Sequence, residues 1–184
     1  IAAKKREPRA ETETSLAITK NETVNAVMRR VGELQSQGRL VFPPNYSPEN
    51  ALMSAYLVLQ HTETKDKRPV LQACTRESIA NSLLDMVVQG LNPIKKQCYF
   101  IAYGNQLVCQ RSYFGTVAVT KRVTGAKDVY AEVVYEGDQL EFEIDRGNTI
   151  ITKHTRRLEN IDRRKIVAAY CTIIPAEGEP YTQI

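Results

Sequence analysis

The sequence predicts an α+β protein: N-terminal helices, a β-hairpin, one more helix and then an antiparallel β-sheet. Three observations carry this. Apolar residues recur at helical spacing as far as Pro93, the period drops to two from Cys98 onward, and alternation around a Gly137-Asp138 turn follows Lys127. The organisation expected is a flexible arm over residues 1–18, a helical lobe over 19–93, and a hairpin, helix and sheet core over 94–184. A chain of 184 residues, 42% apolar, is long enough to bury such a core.

The arm is polar, contains Pro8 and has a basic start at Lys4, Lys5 and Arg6. Val24, Val27, Met28, Val31 and Leu34 mark the first helix, with Thr19 and Glu22 as a capping box and Gly38 as the stop. Ser47 and Pro48 open a second helix, buried through Leu52, Ala55, Tyr56 and Leu59. The charged stretch Glu63 to Pro69 reads as a solvated loop. Thr75 caps a third helix with Ile79, Leu83, Met86 and Val87 inward, and Gly90 with Leu91 closes it in a Schellman ending before Pro93.

From Cys98 to Arg111 the two-residue turn Gly104-Asn105 makes a tight hairpin and pairs Tyr103 with Gln106. Cys98, Phe100, Ala102, Leu107, Cys109 and Arg111 then share one face, which packs on the domain. Tyr99, Ile101, Tyr103, Val108 and Gln110 share the other, which offers tyrosines and amides to a ligand. Ser112 caps a helix over Tyr113 to Val123, with Phe114, Val117 and Ala118 as its core side and Gly125 as its end. A second hairpin is expected from Val129 to Ile144 around Gly137-Asp138, with a largely acidic outer face. Thr149 to Lys153 reads as a short edge strand, and Ile166 to Ile174 as a continuous apolar strand of the buried type.

Charge is distributed in blocks. The net charge is only +4, yet no Asp or Glu occurs from Met86 through Lys127, where Lys95, Lys96, Arg111, Lys121, Arg122 and Lys127 fall. Seven acids follow without a base: Asp128, Glu132, Glu136, Asp138, Glu141, Glu143 and Asp145. Residues 146–165 swing back to basic and include Arg156 and Arg157. Such blocks predict separate basic and acidic faces.

Several chemistries have no support. The nine glycines form no phosphate-cradling or dinucleotide-binding loop, so no nucleotide cofactor is expected. His61 and His154 stand outside any catalytic motif and read as solvated surface residues. Cys74, Cys98, Cys109 and Cys171 lack metal-ligand spacing and read as buried thiols of a reducing, cytoplasmic compartment. No apolar run approaches the ~20 residues of a membrane span. What remains is cations interleaved with aromatics, the combination that holds a phosphate backbone and stacks bases.

The ordered motifs from Ser78 onward resemble the RecT family of phage single-strand annealing proteins. They are the helix ending Gln89-Gly90-Leu91-Asn92-Pro93, the hairpin CYFIAYGNQLVCQ, Arg111-Ser112-Tyr113-Phe114-Gly115, Thr120-Lys121-Arg122, and Val133-Val134-Tyr135-Glu136-Gly137-Asp138 followed by Glu141-Phe142. The resemblance implies ATP-independent annealing of complementary DNA strands in recombination, by subunits assembled into rings or helical filaments. It also implies a partner exonuclease and a host single-strand binding protein in the bacterial cytoplasm. Family members continue into a further basic helical region, so the sequence reads as part of a longer protein. The expected DNA contacts are Lys95, Lys96, Arg111, Lys121, Arg122 and Lys127 on phosphates, aided by Gln110 and Ser112, with Tyr99, Tyr103 or Tyr113 lining the groove and Arg156 and Arg157 on the other strand. Two rival readings are a metal-dependent nuclease using the acids between Asp128 and Asp145, and a phage structural assembly protein.

Overall fold

The computed structural model describes residues 9–184, with side chains from Glu22 onward. The basic start of the expected arm, Lys4, Lys5 and Arg6, lies outside the described residues. Five helices, α1 (Arg9–Ser36), α2 (Pro48–Gln60), α3 (Val70–Ala73), α4 (Arg76–Val88) and α5 (Tyr113–Thr124), are interleaved with β1 (Cys98–Tyr103) and β2 (Gln106–Arg111). Then come β3 (Asp128–Tyr135), β4 (Gln139–Asp145), β5 (Asn148–Thr155), β6 (Ile166–Ile174) and β7 (Tyr181–Gln183). This is the expected α+β order of helices followed by antiparallel sheets. Helix α1 begins at Arg9, so the helical backbone reaches back into the segment read as an arm.

The chain forms two compact units, one ending at Thr116 and the other Val117–Ile184. The first unit includes the hairpin β1–β2, which packs on the helices. Its register is as expected, from Tyr103 opposite Gln106 to Cys98 opposite Arg111. Cys98, Phe100, Leu107 and Cys109 are buried against a core that includes Val31, Leu52, Leu59, Leu83, Met86 and Leu91.

Helix ends obey their local chemistry. Ser47 and Thr75 accept from the N–H groups of Asn50 and Ser78. At Gly90, with φ of +63°, Leu91 N–H reaches Met86 O at 3.0 Å and Gly90 N–H reaches Val87 O at 2.9 Å, the paired bonds of a Schellman ending.

Two buried serines set the hairpin's position. In a two-residue hairpin the pair next to the closing one turns its N–H and C=O away from the partner strand, which leaves those of Leu107 to be satisfied elsewhere. Ser78 and Ser82, one turn apart on α4, do this. Ser78 Oγ accepts from Leu107 N–H at 3.1 Å, and Ser82 Oγ donates to Leu107 O at 2.6 Å. Thr75 N–H adds a bond to Asn105 O at 2.9 Å. An edge strand is thus closed by a helix, and its other face is held outward. We expect Ser82→Ala to orphan a buried carbonyl and lower stability by about 1 to 3 kcal/mol, read by denaturant titration.

The second unit departs from expectation. β3 does not pair with β4; it pairs with β6, from Asp128 opposite Ile174 to Tyr135 opposite Ile166, and β7 adds to the far side of β6. β4 instead pairs with β5 across Arg146-Gly147, both at positive φ as this hairpin turn demands. Gly137-Asp138 does turn the chain, with Asp138 N–H on Tyr135 O at 3.0 Å, but Glu136 N–H bonds to Lys165 O and continues the β3–β6 ladder. β6 is central by hydrogen bonding yet not buried: Ile166 and Val167 are exposed. Among the described residues of this unit only Ala126, Val134 and Thr182 are buried. Polar ties take a larger share, such as Asn148, which donates to Pro180 O at 2.7 Å and accepts from Thr182 N–H at 3.2 Å.

Candidate nucleic-acid interface

Lys95 and Lys96 sit on a turn that the sequence ties down from both ends. Asn92 N–H bonds to Gln97 Oε1 at 2.9 Å, Gln97 N–H returns to Asn92 O at 3.2 Å, and Asn92 Oδ1 takes Ile94 N–H at 3.0 Å. Lys96 N–H reaches Pro93 O, with Lys96 at φ of +55°, a conformation costly for a side chain with a Cβ. The turn is next fastened to the start of α5. Ser112 N–H donates to Gln97 O at 3.0 Å and Ser112 Oγ donates to Lys96 O. Gly115 N–H bonds to Ser112 Oγ at 3.1 Å, which makes Ser112 the cap of α5.

The Ser112 hydroxyl is engaged by the cap and by Lys96 O, and so positions the turn. One expectation is corrected. Phe114 is not on the core side of α5; it is exposed, with its ring edge-on to exposed Tyr113 at 5.5 Å. The buried position is Gly115, where a Cβ would lie 2.0 Å from Gln97 O.

Both lysines are exposed, and neither forms an ion pair with a described residue. Arg111 is also exposed, with one long bond to Gln89 Oε1 at 3.4 Å. On the outward hairpin face, Tyr99 stands opposite Gln110, Ile101 opposite Val108 and Tyr103 opposite Gln106. Tyr99 and Tyr103 are 51% and 57% exposed, far more than a packing role requires. Four residues apart on one strand, they are separated by roughly 13 Å. The face offers aromatic, aliphatic and amide groups in sequence beside two unneutralised cations.

The second unit treats its cations differently. Lys121 Nζ is 3.1 Å from Asp128 Oδ1. The Asp128 carboxyl is held below its usual range by Val129 N–H first, then by the Tyr130 hydroxyl and Lys121. Arg156 is committed to structure: Nη2 bonds to Glu132 Oε2 at 3.1 Å and to Val133 O, Nε is 3.5 Å from Asp138, and the guanidinium lies over the Tyr135 ring. Arg156, expected on a second DNA strand, makes these contacts within its own unit. Arg157 is exposed and 3.4 Å from Glu159; Arg122 and Lys127 are exposed.

The same pairing removes the expected separation of acidic and basic faces. β3 to β6 and β4 to β5 pairing brings residues 146–165 across from the acids, so Lys165 meets Glu136 and Lys153 meets Glu141. No three acidic, histidine or cysteine side chains among the described residues gather to hold a metal.

Sequence reasoning missed the knot around Asp138. Its side chain is wholly enclosed and accepts from Tyr135 N–H at 3.1 Å, Asn160 Nδ2 at 2.9 Å and His154 Nε2 at 3.3 Å. His154, read as a solvated residue, is instead one-tenth exposed and bonded through Nδ1 to the Tyr170 hydroxyl at 3.1 Å. The only signal was Asp after Gly at a turn that gains its partners from 20 residues downstream. Burial alone would push the Asp138 carboxyl up, but Asn160, the Tyr135 N–H, His154 and the field of Arg156 hold it down at about 2. The unfolded value is 3.8, so the stability this contributes is complete above pH 4 and is lost as pH falls through 2. Asp138→Asn should therefore be less stable at neutral pH and flatten the acid limb between about pH 4 and 2, read by circular dichroism.

The first unit thus presents exposed Lys95 and Lys96 on a stapled turn and exposed Tyr99 and Tyr103 on the outward hairpin face. The model of the RecT family matches residues 49–184, well over half of the chain, and the chain belongs to that family. Membership places it among proteins of single-strand annealing in DNA recombination. No curated protein matches the chain. No helix among the described residues is long and apolar enough to cross a membrane.

Proposed function

We propose that this protein binds single-stranded DNA on the first unit and anneals it to a complementary strand without ATP, as a ring or filament. Lys95, Lys96 and Arg111 hold phosphates, while Tyr99, Tyr103 and Gln110 support bases and leave their pairing edges free. The observation that carries the reading is the stapled turn that presents Lys95 and Lys96 without a carboxylate partner, next to the outward tyrosine face. Exposed Phe142 and Ile144, on one face of the β4–β5 ribbon, support the oligomeric part, since such apolar surface favours cover. A partner exonuclease and a host single-strand binding protein belong to the same reading, as does action in the bacterial cytoplasm.

The test is to mix two complementary oligonucleotides with the protein in the absence of ATP and follow annealing by fluorescence as salt is varied. The three contacts of Lys95, Lys96 and Arg111 contribute about −2 to the log-log salt slope of single-strand binding, from roughly −0.7 per contact. Annealing no faster than without protein, at every salt concentration, contradicts the reading. Magnesium-dependent cleavage of either strand supports the nuclease alternative instead.

A further inference from the structure

The charged stretch after α2 is more ordered than its composition indicates. Thr64 N–H bonds to Arg68 O at 2.9 Å, Lys67 N–H to Thr64 O at 3.0 Å, and Arg68 N–H to Thr64 Oγ1 at 3.2 Å. Glu63 and Pro69 form a β-bridge beneath them, and Lys67 is held at φ of +57°. The loop is thus a closed, self-bonded turn.

Between this turn and the tip of the β1–β2 hairpin lies a cavity of about 290 Å³, lined by Lys65, Asp66 and Arg68 on one side and Tyr103 and Gly104 on the other. Its volume is close to the lower end, about 300 Å³, of small-ligand sites, which suits one nucleotide. A Cβ built at Gly104 would meet nothing within 4 Å, so glycine leaves the mouth clear. Among the lining residues Lys65 and Arg68 outnumber Asp66, and the Arg68 to Asp66 approach is 3.9 Å between side chains that are both mostly exposed. Such a pair is weak and leaves the guanidinium available. The wall opposite includes Tyr103, at the end of the face proposed to bind DNA.

We infer that this cavity is a nucleotide subsite of the single-strand path: the base rests on Tyr103, and the adjoining phosphate is held by Lys65 and Arg68. The inference rests on the DNA-binding reading above and extends that path past the hairpin tip to the loop after α2. The turn's internal bonds hold its backbone in place before the strand arrives, which limits the ordering cost on binding.

The experiment is fluorescence titration of a single-stranded oligonucleotide carrying 2-aminopurine, with the wild type, Lys65→Ala/Arg68→Ala, Tyr103→Ala and Tyr103→Phe. The wild type quenches the probe by stacking. Tyr103→Ala weakens binding about tenfold and relieves the quench, whereas Tyr103→Phe keeps both. Lys65→Ala/Arg68→Ala makes the salt slope shallower by about 1.4, at roughly 0.7 per contact. All these side chains are exposed, so the variants are expected to fold as the wild type does, which thermal melts check. If the wild type binds and Lys95→Ala/Lys96→Ala weakens it, but Lys65→Ala/Arg68→Ala leaves affinity and slope unchanged, the subsite is wrong and the wider reading stands. A wild type that binds no oligonucleotide overturns both.

Discussion

A protein carrying Lys95→Ala and Lys96→Gly is expected to melt at the wild-type temperature and yet bind single-stranded DNA with a salt slope shallower by about 1.4. The two halves of this expectation have separate causes. Lys96 occupies the left-handed region, at φ of +55°, where a Cβ costs on the order of 1 kcal/mol and glycine costs nothing. Glycine widens the unfolded ensemble by a comparable amount, about 0.4 to 1 kcal/mol, so stability is close to unchanged. The turn itself is held by Asn92, Gln97 and Ser112, none of which the variant touches. Binding loses two cations that face no carboxylate among the described residues, and with them two released counterions. A variant that folds normally and binds with unchanged affinity and slope removes Lys95 and Lys96 from the interface.

Gly115→Ala is expected to be the most damaging small substitution in the first unit. The added methyl would stand 2.0 Å from Gln97 O and 2.8 Å from Arg111 Cγ. The arginine side chain is flexible and gives way, but the carbonyl is backbone and is already bonded to Ser112 N–H. Either α5 moves off the turn or the turn opens, and both separate Ser112 from Lys96. Overpacking of this kind costs about 1 to 3 kcal/mol, at the upper end where backbone must shift. The distinguishing readout is coupling: Gly115→Ala should lower both the unfolding midpoint and single-strand affinity, whereas Lys95→Ala/Lys96→Gly lowers affinity alone.

The first unit was legible in the sequence because its signals are local. Ser47-Pro48, Thr75 and Gly90-Leu91 act within a few residues, and Gly104-Asn105 sets the register of a hairpin whose two strands adjoin it. The outward tyrosine face followed from that register. The second unit was not legible, because its pairing is decided at long range. Gly137-Asp138 is chemically a hairpin turn, but Asp138 takes Asn160, His154 and Arg156 as partners, and β3 finds β6 about 30 residues further on. Arg146-Gly147 made the real hairpin with an arginine where asparagine or glycine is the usual signal. The charge blocks misled for the same reason: strand pairing matched acids with the bases that follow them. Arg156 shows the consequence, since a residue that reads as a phosphate contact is paired with Glu132 and Asp138 and lies over Tyr135. Ser78 and Ser82 gave no signal because a buried serine has meaning only once Leu107 is beside it.

The most direct measurement is photocrosslinking of a halogenated single-stranded oligonucleotide to the protein, followed by peptide mapping of the adducts. DNA held on the first unit gives adducts on β1, β2 and the turn from Asn92 to Gln97, with Tyr99 and Tyr103 foremost. Adducts confined to Val117–Ile184, with none on the hairpin or the turn, would contradict it.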